Sequence, residues 1–343
     1  MGKIIGLIRS KNDKKVFFLP EEVKKLTSAG YQVFCHVTYG KHINITDQEY
    51  IAAGAIIVAS AQEVVNHSEI ILLTSNIQGL STKTFANKIV ISLDNMLNNL
   101  KMVECFVRQN TLSLQWLLTN DKKQFALFND LEKLKNTYVF DLIKSSKKPI
   151  KNIALIHNTF ACQDLTKKLL KQNYNVKLFA LNGGLELEHL KKQFAPSQNN
   201  NQLSIYYITP ETFYDDLQSV DCIVNMCQNP ERITWKIFTN ELIKIFNKRI
   251  MLIDLSSENG LCATFIRRYS KPYQLKRYRN ILFSAVCDLT NCFPVTASKS
   301  ISNYSIDIFL EMLQKDSFKN SNLLITKDGQ IVHPWFIAKL HIF

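Results

Sequence analysis

His157, Asn158, Thr159, Phe160, Ala161 and Cys162 stand where an apolar run, residues 152–156, flows into the start of a helix. In a dinucleotide-binding βαβ unit such a junction reads G-x-G-x-x-G. The first glycine makes the tight turn, the second lets backbone approach the pyrophosphate, and the third lets helix pack closely on strand. None of the three is present here. His157 could donate to a phosphate from a helix N-terminus, where the dipole favours anions, or it could fill the space the glycines vacate. Asn158 lies in the same turn. Thr159 suits a helix N-cap as well as a ligand contact, and Phe160 is bulky where a small residue is wanted.

Other residues with chemical capacity lie at the ends of apolar segments. Glu258 and Asn259, with Gly260, follow a buried-strand candidate at 250–255. Open α/β sheets place ligands at that edge, so the carboxylate could be a general base or a nicotinamide-side acceptor; it could equally be a loop acid. Asp254 ends the strand and could cap the loop after it. Asn225 ends another strand candidate, at 221–225, and could face a cleft or close a turn. Lys15 could bind a carboxylate, though without the bidentate geometry of Arg, or be an ordinary surface lysine. Cys222 and Cys227 are five apart and fit core thiols better than a redox pair. No His/Cys cluster has zinc spacing, and none of the eight cysteines forms CxxC, so reduced thiols and no metal site are expected.

Composition narrows the class. With 343 residues, 46% hydrophobic and 21% charged, the chain fits a soluble globular protein of two domains. No run of 18 apolar residues and no leader is apparent. The net charge of +13 is spread along the chain, apart from residues 266–280, where Arg267, Arg268, Lys271, Lys276, Arg277 and Arg279 alternate with three tyrosines. Such a loop could grip phosphates or an acidic partner, but no nucleic-acid module surrounds it and no nucleic-acid role is expected.

The elements that must position these residues alternate in type. Short strand candidates at 3–8, 31–37, 55–58, 70–73 and 88–93 are interleaved with helices at 20–29, 47–53 and 61–66, which predicts a mostly parallel sheet covered on both faces. A long helix is predicted over 125–144 and a boundary at 145–149. A second series follows, with strands at 152–156, 176–180, 204–208, 221–225, 250–255 and 280–285 and helices at 164–172 and 185–193. Another long helix at 302–313 leads to a hairpin-like tail around Asp328 and Gly329. The fold class is α/β, two Rossmann-like doubly wound domains, the first discontinuous: 1–140 with 303–343, and 141–302.

This order of segments resembles the alanine dehydrogenase and pyridine nucleotide transhydrogenase family over essentially the whole chain. The opening GLIRSKNDKKVFFLPEEVKKLTSAGYQVF is similar to the family's first strand, substrate loop and helix. Asp47, Tyr50, Ala53, Gly54, Ala55, Ile57 and Val58 match its D-x-x-Y-x-x-A-G-A-x-I-V signature. VDCIVN at 220–225, LIDLSSENGLC at 252–262 and the stretch from Asp288 to Pro294 resemble its last strands and intervening loop. The tail LLITKDGQIVHPWF looks more like the NAD(H)-binding alpha subunit of proton-translocating transhydrogenase than like alanine dehydrogenase.

The resemblance implies NAD bound in a cleft of a dimer, with hydride passed between NAD(H) and NADP(H). It implies docking on membrane-spanning and NADP-binding subunits, and hence a cytoplasmic protein, peripheral at the inner membrane. Carried over, the substrate arginine of alanine dehydrogenases falls on Lys15, their substrate lysine near Thr74 or Ser75, their catalytic histidine near Asn95 and their catalytic aspartate on Glu258. The ribose-holding acid falls on Ala180. The transhydrogenase Arg-Gln-Asp loop maps to 121–129, with Gln124 and Asn129 as its nearest polar residues. The different-class expectation is an inactive paralogue kept as a binding or assembly module.

Overall fold

A computed structural model describes residues 3–10, 13–75, 84–93, 96–116, 122–157, 160–180, 184–195, 202–208, 210–226, 238–255, 271–286 and 288–340. In chain order the elements are β1 (Ile4–Leu7), α1 (Pro20–Ser28), β2 (Gln32–His36), α2 (Asp47–Ala52), β3 (Ile56–Val58), α3 (Ala61–His67), β4 (Ile70–Leu73), β5 (Ile89–Ser92), α4 (Leu100–Arg108), β6 (Leu112–Gln115) and α5 (Lys122–Lys144). There follow β7 (Asn152–His157), α6 (Phe160–Lys171), β8 (Asn175–Ala180), α7 (Leu185–Gln193), β9 (Leu203–Tyr207), α8 (Pro210–Gln218), β10 (Cys222–Asn225), α9 (Asn240–Ile245), β11 (Ile250–Asp254), β12 (Lys276–Tyr278) and β13 (Ile281–Ala285). The chain closes with α10 (Pro294–Gln314), β14 (Leu324–Lys327), β15 (Gln330–Ile331) and α11 (Pro334–Leu340).

Two compact units result: Met1–Leu131 with Phe293–Phe343, and Glu132–Cys292. The fold is α/β with two doubly wound sheets, and the first unit is discontinuous in sequence. In that unit the strands lie in the order β15-β14-β6-β5-β4-β1-β2-β3; β1 to β6 are mutually parallel and β14 is antiparallel to β6. Local chemistry sets the helix ends. Pro20 opens α1 with Glu21 and Glu22 in its first turn, and Thr46 with Glu49 forms a capping box on α2. Gly54 takes φ +91° just after α2, a conformation that side chains disfavour. Gly6 in β1 is needed for close approach instead: a Cβ there would lie 2.5 Å from Oγ of Ser68, the residue just after α3, and 2.7 Å from Cγ1 of Val64 within it.

The segment after β1 is nailed to the core of the first unit. Val16 N–H donates to Ser298 Oγ (3.0 Å) and Leu19 N–H to Ser302 Oγ (2.9 Å), both on α10. Phe17 N–H donates to Tyr39 Oη (2.8 Å), and Tyr50 Oη donates to the Phe18 carbonyl (3.0 Å). Phe17, Phe18, Trp116, Phe309 and Phe318 pack ring on ring beneath it, with Trp116 Nε1–H bonded to Ser305 Oγ. The helix α10 begins at Pro294, a turn and more before the sequence pattern predicts, because Ser298 and Ser302 face inward with their hydroxyls occupied.

In the second unit the order is β12-β13-β11-β10-β7-β8-β9, parallel throughout apart from β12, which pairs antiparallel with β13. Its core is aromatic and aliphatic: Ile156, Phe179, Phe213, Ile223, Phe238, Leu252 and Phe283 are buried together. Part of the segment expected as a basic loop, 276–278, is this edge strand. Tyr273, just before it, is tied to α5: its N–H donates to Tyr138 Oη (3.1 Å) and its hydroxyl to Asp141 (3.1 Å). Among the described residues no helix is long and apolar enough to cross a membrane.

Candidate functional site

Both sheets reverse their winding direction between two central strands, β1 and β4 in the first unit and β7 and β10 in the second. Loops leave a doubly wound sheet in opposite directions at such a point, so the carboxyl ends of those strands frame a crevice.

In the first unit Arg9, Ser10, Asp13 and Lys15 follow the carboxyl end of β1, and Thr74 and Ser75 follow that of β4. Ser75, just past β4, donates through Oγ to Ser10 Oγ, just past β1 (2.7 Å), so the two strand ends meet there. Lys15 Nζ lies 2.9 Å from Asp13 Oδ1, and Lys15 N–H donates to the same oxygen at 3.0 Å. The two side chains are 9% and 1% exposed. Lys15 is therefore no surface lysine; the pinned segment 16–19 holds it in. Arg9 donates to Thr38 Oγ1, and Thr38 N–H in turn donates to Asp47 Oδ1 at 2.8 Å. Arg9 Nε, Asp13 Oδ2 and Thr74 Oγ1 are buried and make no hydrogen bond among the described residues. Buried polar atoms are nearly always satisfied, so three in the segments that follow β1 and β4 make these strand ends the candidate polar site of the first unit. Burial, then the Arg9 charge, holds the His36 imidazole below its ordinary value.

In the second unit Asn225 stands in register with Ile156 of β7 on one side and Asp254 of β11 on the other. Asn225 Nδ2 donates to Asp254 Oδ1 at 2.9 Å, and both side chains are buried. Asn225 therefore ties two strand ends together at the crevice, and Asp254 accepts from it. His157 ends β7 in register with Ala180 of β8. Ala180 is fully buried, and a methyl group accepts no hydrogen bond from a ribose hydroxyl. Cys162, in the first turns of α6, is buried and its thiol is pushed far up, so it does not act as a thiolate.

The other expected residues divide plainly. Asn158, Thr159, Glu258, Asn259 and Asn95 lie outside the described residues, as do Cys227, Arg267 and Arg268. Gln124 falls in the first turn of α5, and Asn129 lies a turn further on with its Oδ1 buried and without a hydrogen bond. The stretch expected as a loop at 121–129 is helical from Lys122 onward, since its apolar spacing continues the long helix. Arg9, Ser10 and Asp13 were not singled out by sequence; the signal that could have found Asp13 is an acid two residues from a lysine in a segment leaving the first strand. The free cysteines among the described residues are Cys35, Cys105, Cys162, Cys222 and Cys292, and no group there could hold a metal ion.

Residues 9–128 match the family description "Alanine dehydrogenase/PNT, N-terminal domain", and residues 174–334 match "Alanine dehydrogenase/PNT, C-terminal domain". Alanine dehydrogenase 1 of Staphylococcus aureus is 19% identical over 321 residues, covering 88% of this chain and 84% of its own. Among solved structures, an L-alanine dehydrogenase superposes with a TM-score of 0.78 at 14% identity, covering 99% of each chain. A transhydrogenase from Sinorhizobium meliloti superposes with a TM-score of 0.75 at 16% identity, covering 97% of this chain and 100% of its own.

Proposed function

We propose, from the premise that this chain belongs to the alanine dehydrogenase/pyridine nucleotide transhydrogenase family, that it works as a transhydrogenase alpha-subunit type of protein. The family is one of nicotinamide-dependent oxidoreductases. In this reading the second unit receives NAD(H), and hydride is exchanged with NADP(H) held by a partner subunit at a membrane, the chain itself acting as a dimer.

The observation that carries the reading is the β7/β10 switch point, beside which Asn225 of β10 is bonded to Asp254 of β11, a buried polar pair at the edge where doubly wound sheets place dinucleotides. The nicotinamide would supply the hydride chemistry; the chain's part is to bind, orient and exclude water. The choice within the family rests on the first unit. An amino-acid dehydrogenase needs cations for its substrate carboxylate, but here Lys15 already holds Asp13, and Thr74 or Ser75 stands where the second cation is expected. Hydride exchange between two nucleotides needs no such cations.

Ala180 and the absence of glycine from 157–162 favour a second reading, the catalytically inactive paralogue serving as a binding or assembly module. One titration separates the two. Purified protein should enhance NADH fluorescence saturably and, mixed with membranes carrying the NADP-binding subunits, reduce a thio-analogue of NADP from NADH while leaving alanine unoxidised. No NADH binding at millimolar concentration rejects the first reading and leaves the second.

A further inference from the structure

The amino edge of the second sheet, opposite the crevice just described, carries a cavity of about 560 Å³. Three segments that lead into strands frame it: residues 145–150 before β7, Asp221 before β10, and Lys248 with Arg249 before β11. Its floor is apolar, made by Ile150, Met251, Leu275 and Leu282. Its rim is cationic: Lys147, Lys148, Lys248 and Arg249. Asp221 is the acid of the lining. Lys248 Nζ lies 2.9 Å from Asp221 Oδ1, while the N–H groups of Asn152 and Lys151 donate to Oδ2 at 2.9 and 3.1 Å. Burial works against the Asp221 charge, yet Lys248 and the two N–H groups outweigh it and hold the carboxyl below its ordinary value. Lys147, Lys148 and Arg249 have no acidic partner among the described residues. Arg277 of β12 stands directly opposite Leu282 of β13, which puts one more cation beside the same wall.

We propose that this cavity binds an organic phosphate ester with an aromatic or apolar body, at a site separate from the carboxyl-edge crevice. The volume lies in the range of small-molecule pockets, which pair an apolar floor with a few polar groups that fix orientation. Three cations without partners around one opening suit a doubly charged phosphate better than a singly charged carboxylate, and an apolar floor suits a ring or alkyl body better than inorganic phosphate. The basic character of residues 271–280 thereby gains a role: it extends the positive field around the mouth.

Calorimetric titration with 1-naphthyl phosphate tests the proposal, with 1-naphthol and inorganic phosphate as the two partial probes. Saturable binding at one site per chain is expected, at least about tenfold tighter than either partial probe and weakening as salt rises. The triple variant Lys147→Ser/Lys148→Ser/Arg249→Ser should lose about tenfold or more in affinity, from roughly threefold per exposed cation. Lys191→Ser/Lys192→Ser, equally basic residues on α7, should leave it unchanged. Leu275→Glu, which places a carboxylate on the floor, should abolish binding without touching the rim. Saturating NADH should not displace the probe. Displacement by NADH, equal affinity in the triple variant and the parent, or binding of inorganic phosphate as tight as the ester would each overturn the assignment.

Discussion

Replacing Lys15 by methionine probes the geometry of the first unit most directly. The Lys15 ammonium and the Asp13 carboxylate are 2.9 Å apart and 9% and 1% exposed, so the pair is buried rather than solvated. At an effective dielectric of about 20 their attraction amounts to about 6 kcal/mol, most of it offset by the cost of desolvating both groups. The intact pair is therefore a small net contributor. Its rupture is not small, because Lys15→Met leaves the carboxylate in place with one backbone N–H, from residue 15 itself, and its second oxygen already makes no hydrogen bond among the described residues. Stranding a buried charge in this way costs about 3–5 kcal/mol. In a unit of this size each kcal/mol lowers the melting temperature by roughly 2–4 °C, so calorimetry should show a fall of roughly 6–20 °C. The double variant Asp13→Asn/Lys15→Met removes both charges and should recover most of that loss. A melting temperature within about 2 °C of the parent for Lys15→Met, or a double variant as unstable as the single one, would refute the buried-pair reasoning.

Asn225→Leu removes a donor from the buried Asp254 carboxylate; a loss of about 1.5–3 kcal/mol is expected in denaturant unfolding, together with weaker NADH binding by fluorescence. Gly6→Ala forces a methyl group against Ser68 Oγ and Val64 and should cost about 1–3 kcal/mol, whereas Gly30→Ala, with open space around its Cβ but φ +87°, should cost only its backbone strain. Burial holds the His36 and His333 imidazoles below 6.5, with the Arg9 charge adding to the effect at His36. The unfolded chain therefore binds protons first as pH falls: stability of the first unit should be level above about pH 7 and decline as pH drops through 6.5 toward the lowered folded values. His36→Gln should flatten that decline in a pH series of thermal melts, and an unchanged slope would assign it elsewhere.

Much of the fold was legible because its signals are local. The strands β1, β4, β5, β7, β10 and β11 are mainly apolar runs between turn residues, β2 and β8 are apolar runs with Gln32, His36 and Lys177 among them, and the β14–β15 hairpin is announced by Asp328 and Gly329. The strand β6, LSLQ, carries no such signal: the hydroxyl of buried Ser113 is satisfied by Thr326 of β14, more than two hundred residues on, at 2.6 Å. The edge strand β12 hides inside a basic stretch because a strand at the rim of a sheet needs no apolar face. At the candidate site the residue types were visible but their state was not. Lys15 looks like any lysine until Ser298, Ser302, Tyr39 and Tyr50 hold the segment beside it, and those contacts join residues distant in sequence.

The two switch points make the same argument from opposite ends of the chain. A crevice built to receive a charged ligand keeps at least one charge or donor unsatisfied by its own protein, since binding energy comes from groups that gain a partner. In the first unit Lys15 has its partner in Asp13 and the two strand ends are bridged by the Ser10–Ser75 hydroxyl bond, so a carboxylate substrate would have to compete with an acid already 2.9 Å from the cation. What stays unsatisfied there is Arg9 Nε, Asp13 Oδ2 and Thr74 Oγ1, a cationic donor, a carboxylate acceptor and a hydroxyl, so this edge keeps polar capacity of both signs. In the second unit Asn225 and Asp254 bond to each other across adjacent strand ends, and β8 closes on a methyl group at Ala180. Three cations without an acidic partner among the described residues, Lys147, Lys148 and Arg249, lie at the other edge of the second unit's sheet. Among the described residues of the second unit, then, the carboxyl edge ends on Asn225, Asp254 and Ala180, while cations without an acidic partner gather at the amino edge. A titration in which rising salt weakens naphthyl phosphate binding but leaves NADH binding nearly constant is the outcome this division requires.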